Sequence, residues 1–147
     1  MLRALPLILA LLLPGVAGAQ MKKEIVPIPG ASNPLLSSVV KVGDMLYLSG
    51  QLGFVPGGRL AEGGIGPETR QTLENIKRVL EAAGSSMERV VKCTVYLADV
   101  AEFRAMNEVY RTFWPSDPPA RTTVAVAGLV ANARIEIECM ALAGTGS

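Results

Sequence analysis

Residues 90–110, VVKCTVYLADVAEFRAMNEVY, place a strand pattern directly before a helix pattern, and this junction decides the fold. The first eight residues are rich in β-branched side chains and alternate in polarity, which predicts a strand. Its predicted buried face consists of Val91, Cys93, Val95 and Leu97. Asp99 and Glu102 then resemble a capping box, and apolar residues recur at helical spacing as far as Phe113. The stretch therefore predicts a strand followed by an amphipathic helix.

The sequence before this stretch predicts a hairpin and a first helix. VVKV at 39–42 and MLYL at 45–48 are β-rich runs separated by Gly43-Asp44, a pair that favours a two-residue hairpin turn. Helical spacing of apolar residues predicts a helix from near Pro67 to Gly84, and a short strand is expected near residues 52–55. Residues 22–38 contain three prolines and are predicted to form an irregular lead-in.

The sequence after the second helix predicts two more strands. Residues 122–126 form a β-rich run, and residues 133–143, ARIEIECMALA, alternate with a period of two. This alternation directs Ile135 towards the core and Glu136 away from it. The order of elements predicts an α+β fold with helices on one sheet face. Apolar residues also occur on the other face, so association through this open face is expected.

The N-terminus predicts a targeting segment. Arg3 precedes an apolar run, and Ala17-Gly18-Ala19 provides small residues for cleavage, so residues 1–19 are interpreted as a signal peptide. The run is shorter than the roughly 20 residues that span a membrane. Residues 20–147 then form a single domain, exported to a periplasmic or extracellular space. A start at Met21 would instead give a cytoplasmic protein.

Composition limits the possible chemistry. The chain has no histidine and a formal net charge of +1 at pH 7. Histidine catalysis is therefore excluded, a transition-metal site is not expected, and no cofactor is predicted. A near-neutral charge without a basic cluster also disfavours nucleic acid as a partner.

The two cysteines, Cys93 and Cys139, both fall on predicted buried strand faces. Such cysteines usually behave as small apolar residues, and this is the reading that the sequence favours. A disulfide stays open as the alternative, because an oxidising compartment would permit one if the two strands are adjacent.

Arg121 and Glu136 are the charged residues best placed for chemistry. Arg121 follows Pro118-Pro119-Ala120 and opens a strand, where a guanidinium can clamp a carboxylate. If the two strands are neighbours, both side chains would share one pocket, within one chain or across a subunit boundary. Residue types alone favour a simpler interpretation, in which both are exposed and form at most a weak ion pair.

Five sequence blocks in a fixed order add to this interpretation: VKVGDMLYLSGQ, RQTLENIKRVLEAAG, VVKCTVYLADVAEFRAMNEVY, PPARTTVAV and RIEIECMA. Together they resemble the RidA family of reactive-intermediate deaminases, also called the YjgF-type family, over residues 34–141. The resemblance implies a mixed β-sheet with two helices packed on one face, of the chorismate-mutase-like kind. It also implies a homotrimer with sites in the clefts between subunits.

The resemblance assigns roles to individual residues. Arg121 in the PAR block would grip the substrate carboxylate, and Glu136 in the IEIE block would orient or activate the attacking water. Gly50 in the SGQ block would offer its backbone N–H to the ligand carboxylate, with Ser49 beside it. Asn107 in the MNEVY block would line the site.

Two positions depart from the family pattern. Many members have a site tyrosine where this chain has Leu36, and a cysteine where this chain has Thr123. Loss of the phenol removes a polar group that would lie over the substrate. The resemblance then implies either a more apolar pocket wall or an altered activity.

The activity implied by the resemblance is hydrolysis of enamines and imines, such as 2-aminoacrylate, to 2-oxo acids and ammonia. This reaction needs neither histidine nor metal. The alternative is a non-catalytic module on the same trimeric fold that binds a small carboxylate or forms an interaction surface. A third function, endoribonuclease, is disfavoured because phosphate contacts dominate nucleic-acid affinity and this chain is near neutral.

Overall fold

One β-sheet organises the computed structural model, which describes residues 21–31 and 33–144. The predicted signal peptide lies outside the described residues. Within them, the strands are β1 Lys23–Val26, β2 Val39–Val42, β3 Met45–Leu48, β4 Gln51–Leu52, β5 Val90–Leu97, β6 Ala120–Ala125 and β7 Ile135–Leu142. The helices are α1 Ile65–Ala82 and α2 Phe103–Tyr110, with single 3₁₀ turns at Met87–Arg89, Val100–Glu102 and Val130–Asn132.

The strand order is β1-β2-β3-β7-β5-β6, and β4 also pairs with β7. Only the β5–β6 pair is parallel among the described strand pairs, so the sheet is mixed, as predicted. The hairpin of β2 and β3 turns at Gly43, whose φ of 57° suits glycine. β6 lies at one end of this order, so its outer edge has no partner among the described strands.

The core lies between the sheet and its two helices. Leu73, Ile76 and Leu80 of α1 are fully buried, as are Met106 of α2 and Ile137 of β7. Burial of such side chains is the main favourable term in folding, at about 25 cal/mol per Å² of apolar surface removed from water. The predicted α+β architecture with two helices on one face is confirmed.

Two local predictions were wrong. The lead-in contains β1, which pairs with β2 because Ile25 and Val26 lie opposite Val40 and Val39. On β5 the pairing with β7 is irregular between Val90 and Lys92. This irregularity buries Val90 and leaves Val91 46% exposed, whereas strict alternation had placed Val91 in the core.

The two cysteines occupy directly opposite positions on β5 and β7 and are joined by a disulfide. Both residues are buried. The sequence favoured reduced cysteines because buried strand positions rarely approach closely enough for a bridge. The pairing register overturns that expectation, since it places Cys93 and Cys139 side by side.

The sheet face away from the helices carries apolar side chains that water reaches. Its partly exposed members, each between 38% and 46% exposed, are Tyr47, Val91, Val124, Met140 and Leu142. A face of this composition is typical of a protein–protein contact. As for the membrane, none of the described helices is long and apolar enough to span one.

Candidate functional site

The first group of candidate residues surrounds Arg121 at the sheet end formed by β6. A cavity of about 490 Å³ opens between α2 and the start of β6. We call it the arginine pocket, and its lining includes Asn107, Tyr110, Trp114, Pro118, Pro119 and Arg121. Asn107 and Arg121, which the sequence proposed as site residues, therefore line one cavity. Within residues 21–31 and 33–144, Arg121 forms no ion pair.

Aromatic rings hold the Arg121 guanidinium in place. Its Cζ atom lies 4.5 Å from the centroid of the Tyr110 ring and 5.8 Å from that of Phe103. Both distances fall within the range of a cation–π interaction. Burial raises the pKa of Tyr110 to about 12, while the nearby Arg121 charge acts in the opposite direction. Tyr110 thus stays a neutral phenol and presents its ring to the cation.

Sequence reasoning placed Tyr110 and Phe103 in the core stripe of the second helix and missed this contact. The signal was present, because Phe103, Asn107 and Tyr110 recur at the four- and three-residue spacing of one helix face. Thr123 lies two residues beyond Arg121 on β6, so the two side chains share a sheet face. Its Oγ1 atom is buried and forms no hydrogen bond within the described residues.

The second group surrounds Glu136 on β7. A Cβ atom built on Gly50 would lie 1.9 Å from the Glu136 Oε1 atom, so the carboxylate sits directly against the Gly50 backbone. Leu52 of β4 lies opposite Glu136 in the strand register. We call this region, Ser49 to Leu52 together with Glu136, the glutamate pocket. Only glycine at position 50 leaves room for this arrangement.

The electrostatic environment of Glu136 favours its protonated form. Partial burial raises the pKa of this carboxyl above its ordinary value, and the negative charge of Glu138 raises it further. Both glutamates point to the sheet face away from the helices, beside Tyr96, whose hydroxyl donates to Glu138 Oε1 over 3.1 Å. A carboxyl group with a raised pKa can accept a proton closer to neutral pH than an ordinary glutamate.

Leu36 and Ser49 line a cavity beside the segment that carries Gly50. The Ser49 hydroxyl donates to the Ser37 carbonyl over 2.7 Å and so ties the residues next to Leu36 to the link between β3 and β4. Leu36 is 52% exposed and, with Val40 and Ser49, lines a cavity of about 420 Å³. Leu36 and Ser49 therefore share one cavity, and Gly50, the residue after Ser49, contacts Glu136.

Arg121 and Glu136 do not meet within one chain. Strand β5 separates β6 from β7, so the two strands are not neighbours. The registers also place the side chains on opposite faces: Arg121 is level with Cys93 on the helix side, and Glu136 is level with Tyr96 on the open side. Two residues on opposite faces can act on one small ligand only if different copies supply them.

The side chains that commonly bind metal ions are not clustered in the described residues. Within residues 21–31 and 33–144, no group of three or more His, Cys, Asp or Glu side chains could hold a metal ion. The groups that the two candidate regions present are a guanidinium, a carboxylate and backbone amides.

Comparison with known proteins places this chain in a family. Residues 28–143 match the family model described as endoribonuclease L-PSP. The chain is 40% identical to reactive intermediate deaminase A, chloroplastic, of Arabidopsis thaliana, covering 86% of this chain and 69% of that protein. It is 44% identical to the human 2-iminobutanoate/2-iminopropanoate deaminase, covering 79% and 85% respectively.

The fold agrees with this assignment. The solved structure of E. coli TdcF with bound serine is 33% identical, with a TM-score of 0.73, and the match covers 81% of this chain and 98% of that one. Since the family model spans most of the described residues and the two relatives are 40% and 44% identical over most of the chain, sequence and fold agree. The chain belongs to the RidA (YjgF-type) family of reactive-intermediate deaminases.

Proposed function

We propose that this protein hydrolyses reactive enamine and imine acids, such as 2-aminoacrylate, to 2-oxo acids and ammonia. The observation that carries the proposal is the free Arg121 guanidinium, stacked on Tyr110 in an open cavity. A cation held in this way suits the carboxylate of a small acid. The relatives named as deaminases support the same reaction. The family description also mentions endoribonuclease, but a net charge of +1 gives little attraction for RNA.

The proposed mechanism uses both pockets. The enamine tautomerises to an imine, and Arg121 holds its carboxylate so that the imine carbon faces Glu136. Glu136 accepts a proton from water as the water oxygen bonds to that carbon, the electrons of the C=N bond move to nitrogen, and the protonated Glu136 returns its proton to that nitrogen. Glu136 then carries the hydroxyl proton of the adduct to the amine as the C=O bond forms, which breaks the C–N bond, releases ammonia and leaves the 2-oxo acid. Proton transfer by a positioned group contributes roughly 10²–10⁴-fold.

The proposed active unit is a homotrimer with one site between each pair of subunits. One copy would supply Arg121, Asn107 and Thr123, and its neighbour would supply Gly50 and Glu136. Ser49 and Leu36 of that neighbour would line the same site. The partly exposed apolar side chains on the sheet face away from the helices support this association.

We also propose that the protein is exported after removal of residues 1–19. The signal-peptide pattern supports this, and so does the Cys93–Cys139 disulfide, because disulfides persist in oxidising compartments. The mass of the purified mature protein tests the proposal: a start at Gln20 is expected. A start at Met21 in cytoplasmic protein would contradict it.

The function is tested by ammonia release from enzymatically generated 2-aminoacrylate. The parent should accelerate release over the spontaneous rate, and Arg121→Ala should lower kcat/KM on the order of 100-fold, since bonds to charged groups are worth about 1.5–3 kcal/mol each. Arg111→Ala is the matched control: Arg111 lines the same cavity but pairs with Glu108. Equal rates for parent and Arg121→Ala would refute the arginine's role. Binding of 2-oxo acids without turnover would indicate the non-catalytic module instead.

A further inference from the structure

Helix α1 carries two buried polar side chains that the proposed mechanism does not use. Glu68, in its first turn, is only 4% exposed, and Asn75 is 8% exposed. They are seven residues, or about two turns, apart, and therefore lie on one side of the helix. Buried polar groups of this kind are normally retained only with hydrogen-bond partners, so their partners indicate what they do.

Glu68 binds the backbone that leads into Glu136. Its Oε1 atom accepts from the N–H of Arg134 over 2.7 Å and lies 3.4 Å from the N–H of Ile135. Arg134 and Ile135 are the two residues immediately before Glu136 in the chain. Because one side-chain oxygen accepts from two successive backbone N–H groups, Glu68 ties the start of β7 to helix α1.

Asn75 binds the other strand beside Glu136. Its Nδ2 atom donates to the carbonyl of Leu52 over 2.8 Å and to that of Phe54 over 3.0 Å. Leu52 is the residue that lies opposite Glu136 in the β4–β7 register. The Asn75 side chain is in turn oriented by Gln71, whose Nε2 donates to its Oδ1 over 2.8 Å.

The approach of α1 to this part of the sheet is very close. A Cβ atom built on Gly53 would lie 2.6 Å from the Glu68 Cγ atom, so only glycine allows the helix to reach β4 at this point. α1 thus holds the two segments between which the Glu136 carboxylate is placed. A displacement of about 1 Å at a reacting group can reduce the rate by about 100-fold, so such positioning matters for catalysis.

We infer that Glu68 and Asn75 are positioning residues, which fix the Glu136 carboxylate by binding the backbone on both sides of it. The inference rests on the proposed function for its kinetic part. Glu68 binds the backbone that enters β7 and Asn75 binds the backbone of β4 and just beyond it, whereas the ligand carboxylate is assigned to Arg121 on another element. Their loss should therefore affect the rate of the chemical step more than substrate binding.

The kinetic test compares Glu68→Ala, Glu68→Gln and Asn75→Ala with the parent in the 2-aminoacrylate assay. Glu68→Ala and Asn75→Ala should lower kcat by about 10–100-fold with KM changed by no more than about twofold. Glu68→Gln keeps an acceptor oxygen and should recover most of kcat. If Glu68→Ala does not fold, the other two variants decide the test. Asn75→Ala should still lower kcat, and Glu68→Gln should still keep most of it.

Two control variants separate positioning from general destabilisation. Leu80→Val removes a methylene from a fully buried side chain at the far end of α1 and should lower thermal stability without lowering kcat. Thr69→Val alters the residue next to Glu68. The Thr69 hydroxyl has no hydrogen-bond partner within the described residues. A kcat for Glu68→Ala equal to that of Leu80→Val, at a temperature where both are folded, would overturn the inference. A rise in KM with unchanged kcat would do so as well.

Hydrogen exchange supplies a readout that needs no activity. In Glu68→Ala the amides of Arg134 and Ile135 should exchange faster than in the parent, while Leu80→Val should leave them protected. Unchanged exchange in Glu68→Ala would overturn the inference even if kcat falls. If the parent itself shows no imine hydrolysis, the proposed function fails, and exchange still decides whether Glu68 holds the start of β7.

Discussion

The division of the site between two copies can be tested by mixing two inactive variants. Arg121→Ala lacks the proposed carboxylate clamp, and Glu136→Gln lacks the proposed proton acceptor. Each variant alone should have at most about 1% of the parental activity, as expected when a general base or a charged contact is lost. Arg121 and Glu136 lie on opposite faces of the sheet, so the proposed site takes them from different copies, and mixed trimers are expected to regain function.

The size of the recovery follows from the arrangement of three copies in a ring. In the proposed homotrimer, each site would take its arginine from one subunit and its glutamate from the next. Whether a mixed trimer holds two copies of one variant or two of the other, only one junction joins an intact arginine to an intact glutamate. Mixed trimers should therefore show about one third of the parental kcat per trimer. The kcat of the mixed trimers should thus be at least about 30-fold above that of either variant alone.

The assay co-expresses the two variants with different affinity tags and isolates trimers that carry both tags. Ammonia release from 2-aminoacrylate is then measured beside each homotrimer. Trimers that combine Arg121→Ala with the Arg121→Ala/Glu136→Gln double variant are the control, since none of their sites can be complete. No gain in doubly tagged trimers of verified composition would refute the shared site.

Three further predictions concern Glu136, the disulfide and Gly50. Because burial and Glu138 raise the pKa of Glu136, its basic form is lost on acidification at a higher pH than for an ordinary glutamate. Removal of one charge in Glu138→Gln should lower that pKa and move the acid limb of the pH–rate profile to lower pH. Gly50→Ala should reduce kcat on the order of 100-fold, since its Cβ would lie 1.9 Å from Glu136 Oε1. The bridge between Cys93 and Cys139 spans 46 residues of sequence. Its reduction should cost about 4 kcal/mol of stability and lower Tm by about 15 °C, measured by thermal unfolding.

The predictions for Gly50 and Glu136 each have a control within the chain. Gly128→Ala makes the same substitution where the added Cβ meets open space and should leave kcat unchanged. Glu74→Gln removes one exposed negative charge on α1 and should not move the acid limb. Detection of two free thiols in protein made in an oxidising compartment would contradict the disulfide prediction.

Much of the fold could be predicted from local patterns. The hairpin around Gly43, both helices and the alternation of β7 were all predictable, because each depends on residues close together in sequence. The alternation of β7 also directed Glu136 away from the helix-covered core, as the structure shows. β1 was missed because it is only four residues long, begins with two charged residues and is followed by prolines, and it pairs only when β2 is present.

The candidate residues were likewise found from the sequence, but their arrangement was not. Strand β6 has no clear alternation, so the sheet face of Arg121 could not be predicted. The contact between Arg121 and the Tyr110 ring depends on where α2 packs. The exposure of Val91 depends on an irregular pairing with β7, which no pattern within β5 reveals.

By itself, the sequence determined the elements, the family resemblance and the identities of the site residues. Local periodicity encodes which way a side chain points within its own strand or helix. Only the tertiary structure decided that β5 separates Arg121 from Glu136, that Cys93 meets Cys139, and that Glu68 reaches the start of β7. These facts depend on the pairing of segments that are far apart in sequence. Burial and strand register together determine that pairing, and the spacing of residues within one segment does not reveal it.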